Sequence, residues 1–190
     1  MRRSERALAR WASWSIGTGL VVAAWFVALV TPGDDRVQDA FRVETAVGSA
    51  VTGRNIAVAV DDIRRSGRVA TADGWSAEGN WVVVDLEAAA VVSESPAKLG
   101  HVELVIGDTR FRASERPESL FSASLAVGVP QTGSLAFELP EGLDAGAAVL
   151  ELALDDLDTR LDSMVVVPFE LDSTPHVAEI ELRETDWSAR

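Results

Sequence analysis

The sequence predicts an all-β body, an immunoglobulin-like antiparallel β-sandwich, preceded by one N-terminal transmembrane helix. Three observations predict it: an uncharged apolar stretch near the start, a period-two alternation through the rest, and turn-forming residues at short intervals between the alternating runs. With 47% hydrophobic and 25% charged residues among 190, the chain has enough apolar surface to collapse. Its formal charge of −13, from 17 basic and 30 acidic residues, argues against a nucleic-acid binder, because phosphate affinity comes from clustered Lys and Arg. Zero cysteines exclude a disulfide scaffold, a thiolate metal site and a cysteine nucleophile.

Residues 1–10 hold Arg2, Arg3, Arg6 and Arg10 against a single acid, Glu5, and read as a cytoplasmic N-terminus. Residues 11–31 read as a transmembrane helix acting as a signal anchor. About 20 apolar residues at about 1.5 Å rise each span a hydrocarbon core of about 30 Å. Trp11 and Trp14 fall at the inner interface and Trp25 nearer the outer half, as in an aromatic belt. Pro32 and Gly33 then stop the helix, and Asp34 and Asp35 follow it. Basic residues before the span and acids after it put the remainder outside the membrane. A cleaved signal peptide is the alternative, with small residues at Val22 and Ala24 or at Thr31 and Gly33. The apolar run exceeds a usual signal core of about 7–15 residues, which favours the anchor. Residues 32–40 read as a linker and 41–190 as the extracytoplasmic β-sandwich domain.

Within that domain Phe41, Val43 and Val47 start the alternation, and Ile56, Val58 and Val60 continue it. Residues 81–92 are more apolar, yet Asp85 and Glu87 mark a wet face opposite Val84, Leu86 and Ala88. Val102, Leu104 and Ile106 alternate with His101 and Glu103, and Gly107-Asp108 then reads as a tight hairpin turn. Leu135, Phe137 and Leu139 share one face. Leu150, Leu152 and Leu154 oppose Glu151, and Val165, Val167, Phe169 and Leu171 form a late strand. Residues 177–183 alternate most regularly, Ala178, Ile180 and Leu182 against Glu179, Glu181 and Arg183. Half-apolar strands one turn apart describe sheets with one dry face, and two such faces make a sandwich.

These residues carry a resemblance. GRNIAVAVDDIR, NWVVVDLEA, the turn GDTRF, and PQTGSLAFELPEGL followed by VLELAL resemble the telokin-like, immunoglobulin-like extracellular domains of unknown function. Those domains occur in membrane-anchored and secreted proteins of Gram-positive, including actinobacterial, cells and are related to mycobacterial secreted immunogenic proteins. The match runs over residues 41–171. It departs at Ala88-Ala89-Ala90, where members place a small polar residue. Members carry no established activity, so the resemblance implies a fold and a location, not a chemistry.

Residue by residue, little chemistry stands out. The two histidines, His101 and His176, open separate predicted strands, where a solvated turn histidine is the ordinary reading; no metal site is expected. The acidic segment 155–162 lacks the glycine and closing glutamate of a calcium loop and reads as a charged strand connection. No G-x-S-x-G elbow, P-loop or dinucleotide fingerprint occurs, so no catalytic residue and no cofactor is expected. An envelope hydrolase using carboxylates is the lower-ranked alternative, since paired acids are plentiful but sequence does not show their separation. Four residues are candidates for partner binding. Trp75, in TADGWSAEGN, would anchor a partner or a sugar ring, or fold back and close the core; closure is favoured because large aromatics are mostly buried. Trp187 near the C-terminus is the second. Arg110 and Arg112, with Arg116 nearby, would meet an anionic wall polymer, although pairing with Glu115 and Glu118 is the plainer expectation. The expected partners are therefore a membrane protein or the cell wall, not nucleic acid.

Overall fold

Alternation of Val, Leu and Ile gives each strand one apolar row of side chains, and two sheets close face to face over those rows. The computed structural model describes residues 16–26, 40–92, 97–121, 123–154 and 162–188. The chain divides into two units, Met1–Asp39 and Ala40–Arg190. In the first, residues 16–26 are helical, and Trp25 meets Phe26 edge-on at 5.8 Å. The predicted span 11–31 starts and stops outside the described residues; so do stretch 1–10 and all of the linker except Ala40. Among the described residues no helix is long and apolar enough to cross a membrane.

The second unit is a sandwich of fourteen strands among the described residues, several only two residues long. In chain order they are β1 (Phe41–Glu44), β2 (Ala50–Thr52), β3 (Ile56–Ala70), β4 (Ser76–Ala90) and β5 (Ala97–Lys98). Then come β6 (His101–Ile106), β7 (Thr109–Arg112), β8 (Ser124–Leu125), β9 (Gln131–Leu139) and β10 (Ala147–Ala153). Last are β11 (Ser163–Glu170), β12 (His176–Val177), β13 (Ile180–Glu181) and β14 (Asp186–Trp187). One sheet has the order β1-β11-β10-β6-β7, and the other β12-β3-β4-β9-β14, with β2 and β13 also on β3. The short pair β5-β8 lies apart.

The body is all-β, as the alternation predicts, but it is not wholly antiparallel. β1 runs parallel to β11, and β12 and β13 run parallel to β3. Tight hairpins force antiparallel pairing; these three segments reach their partners over long connections, which leave direction free. The hairpin at Gly107-Asp108 is formed, with Gly107 at φ 58°, a left-handed value that favours glycine.

β3 is longer than its alternation suggests because two bulges shift its phase. Pairing with β4 slips between Val60 and Asp62 and again between Ser66 and Arg68. Ile56, Val58 and Val60 point inward; one extra residue then makes Ile63 the next inward side chain. The second slip turns Val69 onto the outer face, where Ser66 Oγ accepts from the Arg68 amide at 3.0 Å.

The main core joins the inner faces, with Leu86, Leu104, Leu135, Phe137, Leu150 and Leu152 fully buried. A second, smaller core lies on the outer face of the seven-stranded sheet. There the C-terminal segment crosses as a strap, laying Ile180 and Leu182 over Val69, Trp81, Val83 and Ala136. Segment 177–183, predicted as a regular strand, makes only the two short pairings β12 and β13; its alternation serves this strap, and Ala178 stays exposed. The strap also overturns the predicted wet face at Asp85. Asp85 is 6% exposed, accepts from Ser134 Oγ and pairs with Arg64.

Register defines two poles. Phe41, Ser163, Asn55, Val91 and His101 share the pole at which the chain joins the body, here the proximal pole. Gly53 fastens the two sheets there: a Cβ on it would stand 2.6 Å from that of Ser163, whose hydroxyl accepts from the Arg54 amide at 2.7 Å. The turns after β3 and β6 mark the distal pole.

Candidate functional site

Strand periodicity puts His101 and Glu103 on one face of β6, and register sets Glu151 of β10 directly opposite Glu103. Two like charges facing each other across a pair of strands destabilise it unless a cation intervenes. Arg110, reaching in from the edge strand β7, intervenes. Its Nη1 donates to Glu103 Oε2 at 2.8 Å and to Glu151 Oε2 at 2.7 Å. Arg42 of β1 approaches from the other side and meets Glu151 Oε1 at 2.8 Å. His101 Nε2 lies 3.9 Å from Glu151 Oε2 and 4.0 Å from Glu103 Oε2. The Glu151 side chain keeps only 4% of its exposure under these neighbours, whereas both arginines remain about half exposed.

Burial opposes ionisation of Glu151, and hydrogen bonds from Arg110 and Arg42 overcome it, holding its carboxyl below the ordinary value of 4.5. The bonds that Arg110 donates to Glu103 and Glu151 raise its guanidinium above its usual range. A depressed folded-state pKa adds stability that is present above the unfolded value and lost as pH falls through the folded one. Stability should therefore decline below about pH 4.5. Glu151→Gln should flatten that decline in a series of thermal melts, and an unchanged slope would place the acid sensitivity elsewhere.

Of the arginines singled out from the sequence, Arg110 pairs across the sheet with Glu103 and Glu151 rather than with Glu115. Arg112 stands over the Phe121 ring at 5.3 Å, and Arg116 pairs with Glu138 at 2.9 Å rather than Glu118. Sequence neighbours were the wrong partners because a strand turns adjacent residues to opposite faces and sets distant ones side by side. His101 is likewise not a solvated turn residue but part of this half-buried set, while His176 is exposed. Segment 155–161, read as a charged connection, lies outside the described residues.

Trp75 lies half-buried at the distal pole against the second core, in edge-on contact with Trp81 at 6.4 Å. Arg116 stacks over both indoles at 5.7 and 5.9 Å. Trp187 lies toward the opposite pole, paired with Gln131 and 53% exposed. The four predicted residues thus occupy three separate places and make no single site. Trp187 has company at its pole. Of the seven exposed large apolar residues described in the body, five (Phe41, Val92, Val127, Val129 and Trp187) lie toward the proximal pole. A shallow groove of about 170 Å³, lined by Ala50, Thr52, Ala57, Ala59 and Pro130, adjoins them on the seven-stranded sheet.

No known protein family matches the chain. No curated protein matches it either. Among solved structures it is similar to an uncharacterized β-sandwich protein from Clostridium difficile 630. The two are 10% identical with a TM-score of 0.47, over 73% of this chain and 99% of that one.

Proposed function

We propose that this chain is a membrane-anchored, extracytoplasmic binding or accessory module of the bacterial cell envelope, without catalytic activity of its own. On this reading the body is an immunoglobulin-like sandwich of the telokin-like kind, a relation that rests on the strand and turn motifs alone. Residues 11–31 hold it in the membrane, with residues 1–10 in the cytoplasm. The observation that carries the proposal is the gathering of exposed apolar side chains at the pole where the chain joins the body. A tether over residues 32–40 reaches about 30 Å at about 3.3 Å per residue, so that pole stays near the membrane. The surplus of acids disfavours anionic lipid as its occupant, because like charges repel. The occupant proposed is a neighbouring membrane protein, met by Trp187, Val127 and Val129.

Photo-reactive side chains at Val127 and Trp187, compared with Asp108 and Glu141 near the distal pole, test this in native membranes. Adducts to a membrane protein should form from the first pair and not from the second. Equal labelling from both poles, or none from the proximal pole, overturns the docking assignment. The competing reading, a secreted soluble body released by signal cleavage, would show in the intact mass as loss of residues 1–24 or 1–33.

A further inference from the structure

The carboxylates on the outer face of the five-stranded sheet hold a cation in a way that identifies what else would fit. One guanidinium nitrogen, Arg110 Nη1, bridges Glu103 Oε2 and Glu151 Oε2 at 2.8 and 2.7 Å. The same two oxygens lie 4.0 and 3.9 Å from His101 Nε2. One imidazole nitrogen and one oxygen from each carboxylate therefore lie within 4.8 Å of one another. Ligands about 2.0–2.1 Å from a tetrahedral zinc ion are about 3.3 Å apart, so His101 need approach the two oxygens by under about 1 Å and no pair of the three atoms need close by more than about 1.5 Å. His101 and Glu103 are two apart on β6 and Glu151 is fixed opposite by register, so the strands already set the three directions.

We propose that His101, Glu103 and Glu151 form a binding site for one first-row divalent cation, with Arg110 as its exchangeable occupant in the metal-free protein. The mixed nitrogen and carboxylate set suits zinc or manganese, whereas calcium and magnesium prefer oxygen alone. Arg110 extends from an edge strand and its side chain is 55% exposed, so it can leave without disturbing the core. Arg42 keeps Glu151 Oε1 and holds that carboxylate in place while Oε2 turns to the metal. Replacing one positive charge with two also suits a chain of net charge −13. Water completes the coordination.

The test titrates zinc chloride into the full-length, detergent-solubilised, metal-stripped protein and follows heat release and the histidine NMR signals. Because the chain has only two histidines, the His101 ring should shift on binding and the His176 ring should not. His101→Gln and Glu151→Gln should each weaken zinc at least about tenfold. Arg110→Gln should tighten it about tenfold, because the metal no longer displaces a charge-assisted hydrogen bond. Absence of saturable binding overturns the proposal. So does binding that leaves the His101 signals unmoved, or that Arg110→Gln leaves unchanged or weakens. Arg110→Gln alters an exposed edge residue and keeps the test informative where either ligand variant fails to fold.

Discussion

A chain ending at Ser173 should lose a large part of its stability. The missing strap carries Ile180 and Leu182, 1% and 3% exposed in the intact body, and burying such side chains contributes about 1.5–3 kcal/mol each. Their departure uncovers Trp81, Val83, Val69 and Ala136 on the outer face of the seven-stranded sheet. It also frees the β3 edge that β12 and β13 pair with, and an open apolar edge invites association between copies. A loss of about 3–6 kcal/mol compares with a whole-domain stability of about 5–15 kcal/mol. The melting temperature should fall by about 10–20 °C, with aggregation above it. A truncated body melting within about 3 °C of the intact one would mean that the strap lies on the sheet without stabilising it.

Trp81→Ala should cost about 3–5 kcal/mol, from lost transfer energy and the cavity left behind. Trp81 is fully buried between the sheet and the strap, braced by the Trp75 ring and by Arg116. Its indole Nε1 is buried without a hydrogen-bond partner. Trp81→Phe, which discards that donor and keeps most of the apolar bulk, should therefore cost far less than the alanine change. Urea unfolding of the three proteins gives the ratio directly. The truncation and Trp81→Ala act on the same contacts and should not add. In the truncated chain the alanine substitution should lose most of its effect, and full additivity would place Trp81 in some other packing unit.

What could be read from the residues alone follows the reach of a period-two pattern. The inward rows of β6, β9, β10 and β11 are plain in Val102 to Ile106, Leu135 to Leu139, Leu150 and Leu152, and Val165 and Val167. The full length of β3 is hidden, because each bulge moves the apolar phase by one residue and the alternation appears to end after Val60. The strap is hidden for a different reason. Trp81 and Val83 occupy the face that Asp85 and Glu87 label as wet, and no local pattern says that a segment a hundred residues later covers them. The ionic set is half legible. His101 and Glu103, two apart on an evident strand, show one half, but Glu151 and Arg42 join only through cross-strand register. Register depends on loop lengths and on pairing over long connections, so it leaves no mark in the sequence near His101.

The parallel pairing of β1 with β11 bears on how the chain is made. Phe41 is among the first residues of the body to leave the ribosome, yet its partner Ser163 emerges more than a hundred residues later, and Ile180, the partner of Val69, later still. Hairpins such as β3-β4 and β6-β7 can form as they emerge; the outermost strand and the strap cannot. Distant pairings of this kind slow folding. The body therefore stays open along one flank until residues 163–182 have emerged, and a chaperone able to shield β3 during that interval would raise its yield.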